Sequence, residues 1–241
     1  MATGGTSKAV DRVWRGGALA GLVLLFTLSA GGVPHAPVRF ATSEVNVRVR
    51  IFETGSRQAQ RDKSGVAVWL EPVDDAQRSK GEGQKAHYRM RQHNKMFEPH
   101  LLVVPTGSVV EFPNLDPWFH NAFSISDNGR FDLGLDRTGV TKYARFDRAG
   151  ASYVFCGIHP EMAAIVLAVE STYFGISDRA GHVSIDNVPP GKYLLHAWYE
   201  DAPEDPGNVQ SVVLVVDDRC ELPAISVAIT KRYSLKREEA R

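Results

Sequence analysis

The residues EVNVRVRIF, at 44–52, alternate polar and apolar side chains as far as Ile51. A period of two belongs to a strand with one buried face and is incompatible with a helix. The habit returns along the chain. GVAVWLEPV (65–73), HVSID (182–186), KYLLHAWY (192–199), QSVVLVV (210–216) and AISVAIT (224–230) continue the strand pattern, in part as alternation and in part as short apolar runs. Between them, HLLVVPTGSVVEF (100–112) reads as two short strands joined by the turn PTGS. NAFSIS, YARFD, SYVFC and AAIVLAVE follow, each bounded by Gly, Asp or Asn. No segment keeps a helical period beyond about two turns. The expected fold is all-β, built as Greek-key sandwiches.

The chain has 241 residues, 43% of them hydrophobic, enough for two small cores. Lys plus Arg and Asp plus Glu both number 28, so nothing electrostatic calls for nucleic acid or an anionic membrane. Lys8, Arg12 and Arg15 precede the apolar run GGALAGLVLLFTLSAGG. A basic start, an apolar middle and small residues make an export signal over 1–36, cut between about Ala30 and Ala36. The alternative is an uncleaved anchor. In both cases the remainder lies outside the cytoplasm, periplasmic or secreted.

SYVFCGIHPEM (152–162) sets Cys156, His159 and Met162 three residues apart, directly after an apolar run. Thiolate, imidazole and thioether are together a soft donor set, and soft donors select copper over hard cations. Zinc takes Cys and His, rarely Met. Haem attachment needs a second Cys before the His, which is absent. A Cys–His catalytic pair lacks a group to orient the His. A trigonal copper site wants a second His. His120, in EFPNLDPWFHNAFSIS, follows a strand and a loop and lies 36 residues before Cys156, so a different strand can deliver it. His87, His93 and His100 compete for that place. His93, Met96 and His100 would share a helical face, but Pro99 spoils a helix there. A Cys156–Cys220 disulfide is the structural alternative for the two cysteines of an exported chain. His196 reads as a half-buried strand residue, His182 as a solvated turn residue, and Tyr193 and Trp198 as core.

His-Asn at 120–121 with CGIHPEM at 156–162 resembles the cupredoxin family, in the short-loop amicyanin-like pattern. The stretch from QHNKMFEPHLLVVPTGSVVEFPNLDPWFHNAFS to FDRAGASYVFCGIHPEMAAIVLAVE resembles the plastocyanin-like domain of exported methylamine-utilisation proteins. It covers about residues 86–170, a third of the chain. The resemblance implies one type-1 copper ion with His120, Cys156 and His159 as equatorial ligands and Met162 as the axial one. It implies that Asn121 hydrogen-bonds across to the loop bearing Cys156, and that Phe119, Phe123 and Phe155 keep the site dry. It further implies an apolar docking patch of Trp118, Phe119, Ile158 and Pro160 around His159, for a redox partner protein.

DRAGHVSIDNVPPGKYLLHAWYE (178–200) resembles the Pro-Pro-Gly hairpin of transthyretin-like or carboxypeptidase-regulatory-like sandwiches, and the two strands near 44–72 resemble its opening hairpin. The expected organisation is a signal at 1–36, one part of that sandwich at 37–83, the cupredoxin domain at 84–170, the other part at 171–232 and a charged tail at 233–241. The expected function is single-electron carriage by copper in a protein that is not an enzyme. The rivals are a copper-handling module without electron transfer and an adhesion or carbohydrate-binding sandwich.

Overall fold

The computed structural model describes residues 42–53, 58–74, 87–202, 213–216, 219–222 and 224–229. The expected signal, the charged tail and the Cys220 side chain lie outside that set. Among the described residues every regular element is a strand, and the fold is all-β. The chain opens with β1 (Ser43–Glu53) and β2 (Ala67–Pro72). Its middle holds β3 (Tyr88–Arg89), β4 (Arg91–His93), β5 (Met96–Glu98), β6 (Leu101–Pro105) and β7 (Ser108–Pro113). There follow β8 (His120–Ser124), β9 (Phe131–Asp136), β10 (Thr141–Phe146), β11 (Gly150–Cys156) and β12 (Ala163–Val169). The last strands are β13 (Phe174–Ile176), β14 (His182–Val188), β15 (Gly191–Trp198), β16 (Val213–Val216), β17 (Arg219–Glu221) and β18 (Ile225–Ile229).

Strands from the two ends of this region pair with each other. One sheet runs β14-β1-β17, with β18 also on β1, and a second runs β13-β2-β15-β16. Alternation along β1 turns Val45, Val47, Val49 and Ile51 into a core shared with Val68 and Leu70 of β2 and with Tyr193 and Leu195 of β15. Two expected hairpins are absent. β1 and β2 lie in different sheets, and so do β14 and β15. The reason is the same in both cases. Each strand points its apolar face at the other across the core, whereas a hairpin would set both faces side by side in one sheet. Pro189 and Pro190 therefore mark a corner between sheets, fastened where the Tyr193 hydroxyl donates to the Pro189 carbonyl at 2.7 Å.

The middle strands form a three-stranded sheet, β10-β7-β3, a five-stranded sheet, β6-β12-β11-β8-β9, and the small hairpin β4-β5. The turn after β6 carries the chain from one sheet to the next. Gly107 there takes φ +83°, a conformation that favours glycine, and its N–H donates to the Phe146 carbonyl at 2.7 Å. Met90, Phe112, Phe146, Val154, Met162 and Val166 are among the residues that fill the space between the sheets. The polar stretch 74–95, too poor in apolar residues to read as an element, supplies β3 and β4: Met90 between them joins this core, and the buried Gln92 donates from Nε2 to Asp136 Oδ2 at 2.8 Å.

β12 is buried along nearly its whole length, which explains the unbroken apolar run AAIVLAV. Ala164, Val166 and Ala168 face the middle core, while Leu167 and Val169 join Val103 and Ala67 in a third cluster with Trp69, Phe174 and Trp198 against it. That cluster seals the middle sheets onto the β2–β15 sheet. Beside it, His196 stacks on Trp69 with ring centroids 5.0 Å apart and planes within 6°. Its Nε2 lies 3.1 Å from Glu71 Oε2 without the alignment of a hydrogen bond. Burial disfavours the charged ring by more than Glu71 and Glu170 favour it, so the His196 pKa lies below the ordinary 6.5. The unfolded chain then protonates first as pH falls, and stability present above pH 6.5 is lost below it. Thermal melts between about pH 7.5 and about pH 5 test this, with His196→Gln flattening part of the slope. An unchanged slope in the variant removes His196 as a cause.

Candidate metal centre

β8 begins at His120 and β11 ends at Cys156, and the two strands are antiparallel neighbours with Cys156 opposite Ala122. His120, Ala122 and Ser124 point inward along one strand, Ser152, Val154 and Cys156 along the other. Pairing and alternation thus bring the imidazole and the thiol to the same end of the same inner face. The chain then doubles back. The Met162 N–H donates to the His159 carbonyl at 3.0 Å, and the Cys156 N–H donates to the Met162 carbonyl at 3.1 Å, closing the loop that presents His159.

Cys156 Sγ lies 3.8 Å from His120 Nδ1 and 3.8 Å from His159 Nδ1. All three donors fall within 4.8 Å of one another, and the two rings meet edge-on with centroids 4.9 Å apart. An ion about 2.3 Å from sulfur and about 2.0 Å from nitrogen separates those donors by about 3.7 Å at trigonal angles and about 3.5 Å at tetrahedral ones. The observed 3.8 Å separations are ones that a single ion between the sulfur and each nitrogen could span. The donor set, one thiol and two Nδ1 atoms, is a copper-compatible one. His120 is fully buried and Cys156 is 5% exposed, whereas His159 is half-buried. Met162, 1% exposed, sits in the same core cluster as Cys156.

Asn121 faces the other side of β8. Its Oδ1 accepts the Gly157 N–H at 2.9 Å, and its Nδ2 donates to Asp132 Oδ1 at 2.8 Å. One amide therefore ties the strand bearing His120 to the loop bearing Cys156 and to β9. A Cβ at residue 157 would lie 2.8 Å from that Oδ1, so glycine is required for the close approach.

Asp116 is the residue that the sequence did not single out. It is 2% exposed. Its Oδ2 accepts from His120 Nε2 at 2.8 Å and from the Lys95 N–H at 2.8 Å, while Oδ1 accepts the Asn94 N–H at 2.7 Å. Burial opposes its ionisation, but the Lys95 N–H, the His120 ring and the Asn94 N–H outweigh that and hold the carboxyl below its ordinary value. An acceptor on Nε2 keeps the His120 proton there and leaves Nδ1, the atom facing Cys156, with its lone pair. Around it, Asn114 Oδ1 accepts the Asp116 N–H at 2.9 Å and Thr138 Oγ1 donates to the Asp116 carbonyl at 2.7 Å. The available signal was an acid four residues before a candidate ligand in the turn-rich run PNLDP.

Other expected roles fall as follows. Trp118, Phe119 and Ile158 are 49%, 59% and 45% exposed, and Pro160 is exposed. They occupy the loops before β8 and after β11, which antiparallel pairing puts at the end where His159 emerges; Leu115, 50% exposed, joins them. Phe123 and Phe155 do not line the site. They are cross-strand partners on the outer face, with rings 6.0 Å apart, because alternation turns them away from His120 and Cys156. Phe119 is at the surface. Phe112, Ala122, Phe146 and Val154 belong to the core that excludes water from the inner side. Cys156 carries a free thiol. His87 lies 3.5 Å from Glu111, His93 3.8 Å from Glu98 and His100 2.7 Å from Glu200, so none of the three takes the place of His120.

Solved structures similar to this chain are cupredoxins over part of its length. A purple cupredoxin from Nitrosopumilus maritimus is 23% identical, with a TM-score of 0.31, covering 34% of this chain and 99% of that one. A reduced amicyanin variant is 21% identical, with a TM-score of 0.33, covering 36% and 87%. The copper-containing nitrite reductase of Thermus scotoductus is 25% identical, with a TM-score of 0.34, covering 42% and 27%. No protein-family model matches the chain, and no curated protein matches it.

Proposed function

We propose that the chain is an exported one-electron carrier holding a single type-1 copper ion between His120, Cys156, His159 and Met162. The observation that supports this most is the pair of 3.8 Å separations from one buried thiol to two Nδ1 atoms, a soft donor set that one ion could bridge. The bound copper supplies a one-electron change of oxidation state. The protein's part is to keep the donors still while that happens. Two strands, the closed loop and the Asn121–Gly157 bond fix Cys156 and His120, so little rearrangement accompanies the electron. Asp116 holds His120 in the tautomer that offers Nδ1. Four protein donors leave no open position for a substrate, so the chain carries electrons and is not itself an enzyme.

The half-buried His159, ringed by Trp118, Phe119, Ile158 and Pro160, is the exit on this reading, and those apolar side chains are where a redox partner protein docks. We further propose that residues 84–170 are a copper domain inserted in a transthyretin-like sandwich made of 37–83 and 171–232. The N-terminal segment serves as its export signal.

Self-exchange kinetics separate carriage from storage. Rapid exchange in the copper-loaded protein is expected, and Ile158→Glu should slow it about tenfold by setting like charges against each other, with the visible spectrum unchanged. Slow exchange that ignores this substitution favours a metal store.

A further inference from the structure

His93 and Met96 take no part in the buried centre, yet the fold puts them together. β4 and β5 form a hairpin whose two turn residues, Asn94 and Lys95, both take φ 54°, and His93 and Met96 are direct cross-strand partners. Gln92 and Phe97 point into the core, so the opposite face exposes Arg91, His93, Met96 and Glu98. The His93 side chain is 45% exposed and Met96 43%. Directly opposed residues have Cβ atoms about 5 Å apart. That brings an imidazole and a thioether within reach of the separation of about 4 Å that one ion between nitrogen and sulfur would span.

The surroundings select the kind of ion. Asn94 Nδ2 donates to His93 Nδ1 at 3.3 Å, and Glu98 Oε1 stands 3.8 Å from the same nitrogen. Nδ1 is thus engaged within the hairpin, and Nε2 is the ring nitrogen open to a metal that displaces its proton. Glu98 is itself paired with Arg91, at 3.3 Å, and Lys95 stands over the Trp118 ring, 5.0 Å from its centre. Two cations and one carboxylate already in an ion pair disfavour a hard divalent ion. A soft monovalent ion suits a nitrogen–thioether pair. The hairpin is also held rigidly, because Asp116 accepts both turn N–H groups with the same carboxylate that binds His120.

We infer that His93 and Met96 form a second, exposed site for a soft monovalent metal ion of the Cu(I) class, on a hairpin fastened to the buried centre through Asp116. The binding rests on the hairpin alone and does not depend on the function proposed above. Ag(I) is the probe, added to full-length Cys220→Ser protein already loaded with Cu(I), which is diamagnetic, and labelled in its methionine methyl groups; the substitution removes the competing thiol. The Met96 methyl and the His93 ring resonances are expected to shift together and saturate at one added equivalent, with Met90 unmoved. Met96→Leu and His93→Gln, both surface changes, should each weaken Ag(I) binding at least tenfold. A static Met96 methyl, or full binding by His93→Gln, overturns the site. The preceding Cu(I) addition reads the buried centre separately through Met162, so failure of one is distinguishable from failure of the other.

Discussion

Replacing Asp116 with alanine lowers the stability of the metal-free protein by about 3–5 kcal/mol, the range for stripping a buried charge from its partners. Three donors lose their acceptor at once: His120 Nε2 and the N–H groups of Asn94 and Lys95. A buried or half-buried donor left unpaired costs about 1–3 kcal/mol, and a side chain of alanine's size brings no replacement. Urea denaturation measures the loss. Asp116→Asn keeps one acceptor oxygen and should lose less. In copper-loaded protein the same asparagine removes a negative charge hydrogen-bonded to a ligand, which favoured the more positive oxidation state. Its reduction potential should rise on the order of 50 mV, equivalent to about 1 kcal/mol for one electron. An alanine variant within about 1 kcal/mol of the parent would contradict the role given to this carboxylate.

The two histidines should respond differently to removal. His159→Gly opens a position toward solvent, since His159 is half-buried in a loop at the surface. Added imidazole should enter and restore the visible spectrum. His120→Gly leaves a hole behind a residue with 0% exposure, closed by the core and by Asp116. Imidazole should restore that variant far less, and its stability should fall by about 3–5 kcal/mol, as for other large-to-small changes in a core. Equal rescue of both variants would mean that the burial difference between the two ligands has no chemical consequence. Absorption spectra recorded across an imidazole titration decide it.

Strand identity was legible because alternation is local. EVNVRVRIF needs only its own side chains to declare a buried face, and β1 follows it residue by residue. Pairing was less legible, because it depends on what lies across the core. The Pro-Pro-Gly sequence looks the same whether it closes a hairpin or turns a corner between sheets, and only the position of β1 beside β14 decides. At the candidate metal centre, Cys156, His159 and Met162 could be read together from the sequence because one short loop carries them. His120 could be read because its strand and loop repeat a known pattern. Asp116 was hidden, since its significance comes from meeting Asn94 and Lys95, residues 22 and 21 positions away that only folding brings close. Phe123 and Phe155 were misplaced for a related reason. Phe155 lies one position from Cys156 and Phe123 three from His120, and an odd separation puts a strand residue on the opposite face.

Titration of Cu(II) into purified protein with its thiols reduced is the most direct test of the proposed copper site. An intense visible copper–thiolate band should grow to saturation at one equivalent and be absent from Cys156→Ser. A folded, reduced protein that stays colourless, or a band that survives the loss of Cys156, would contradict it.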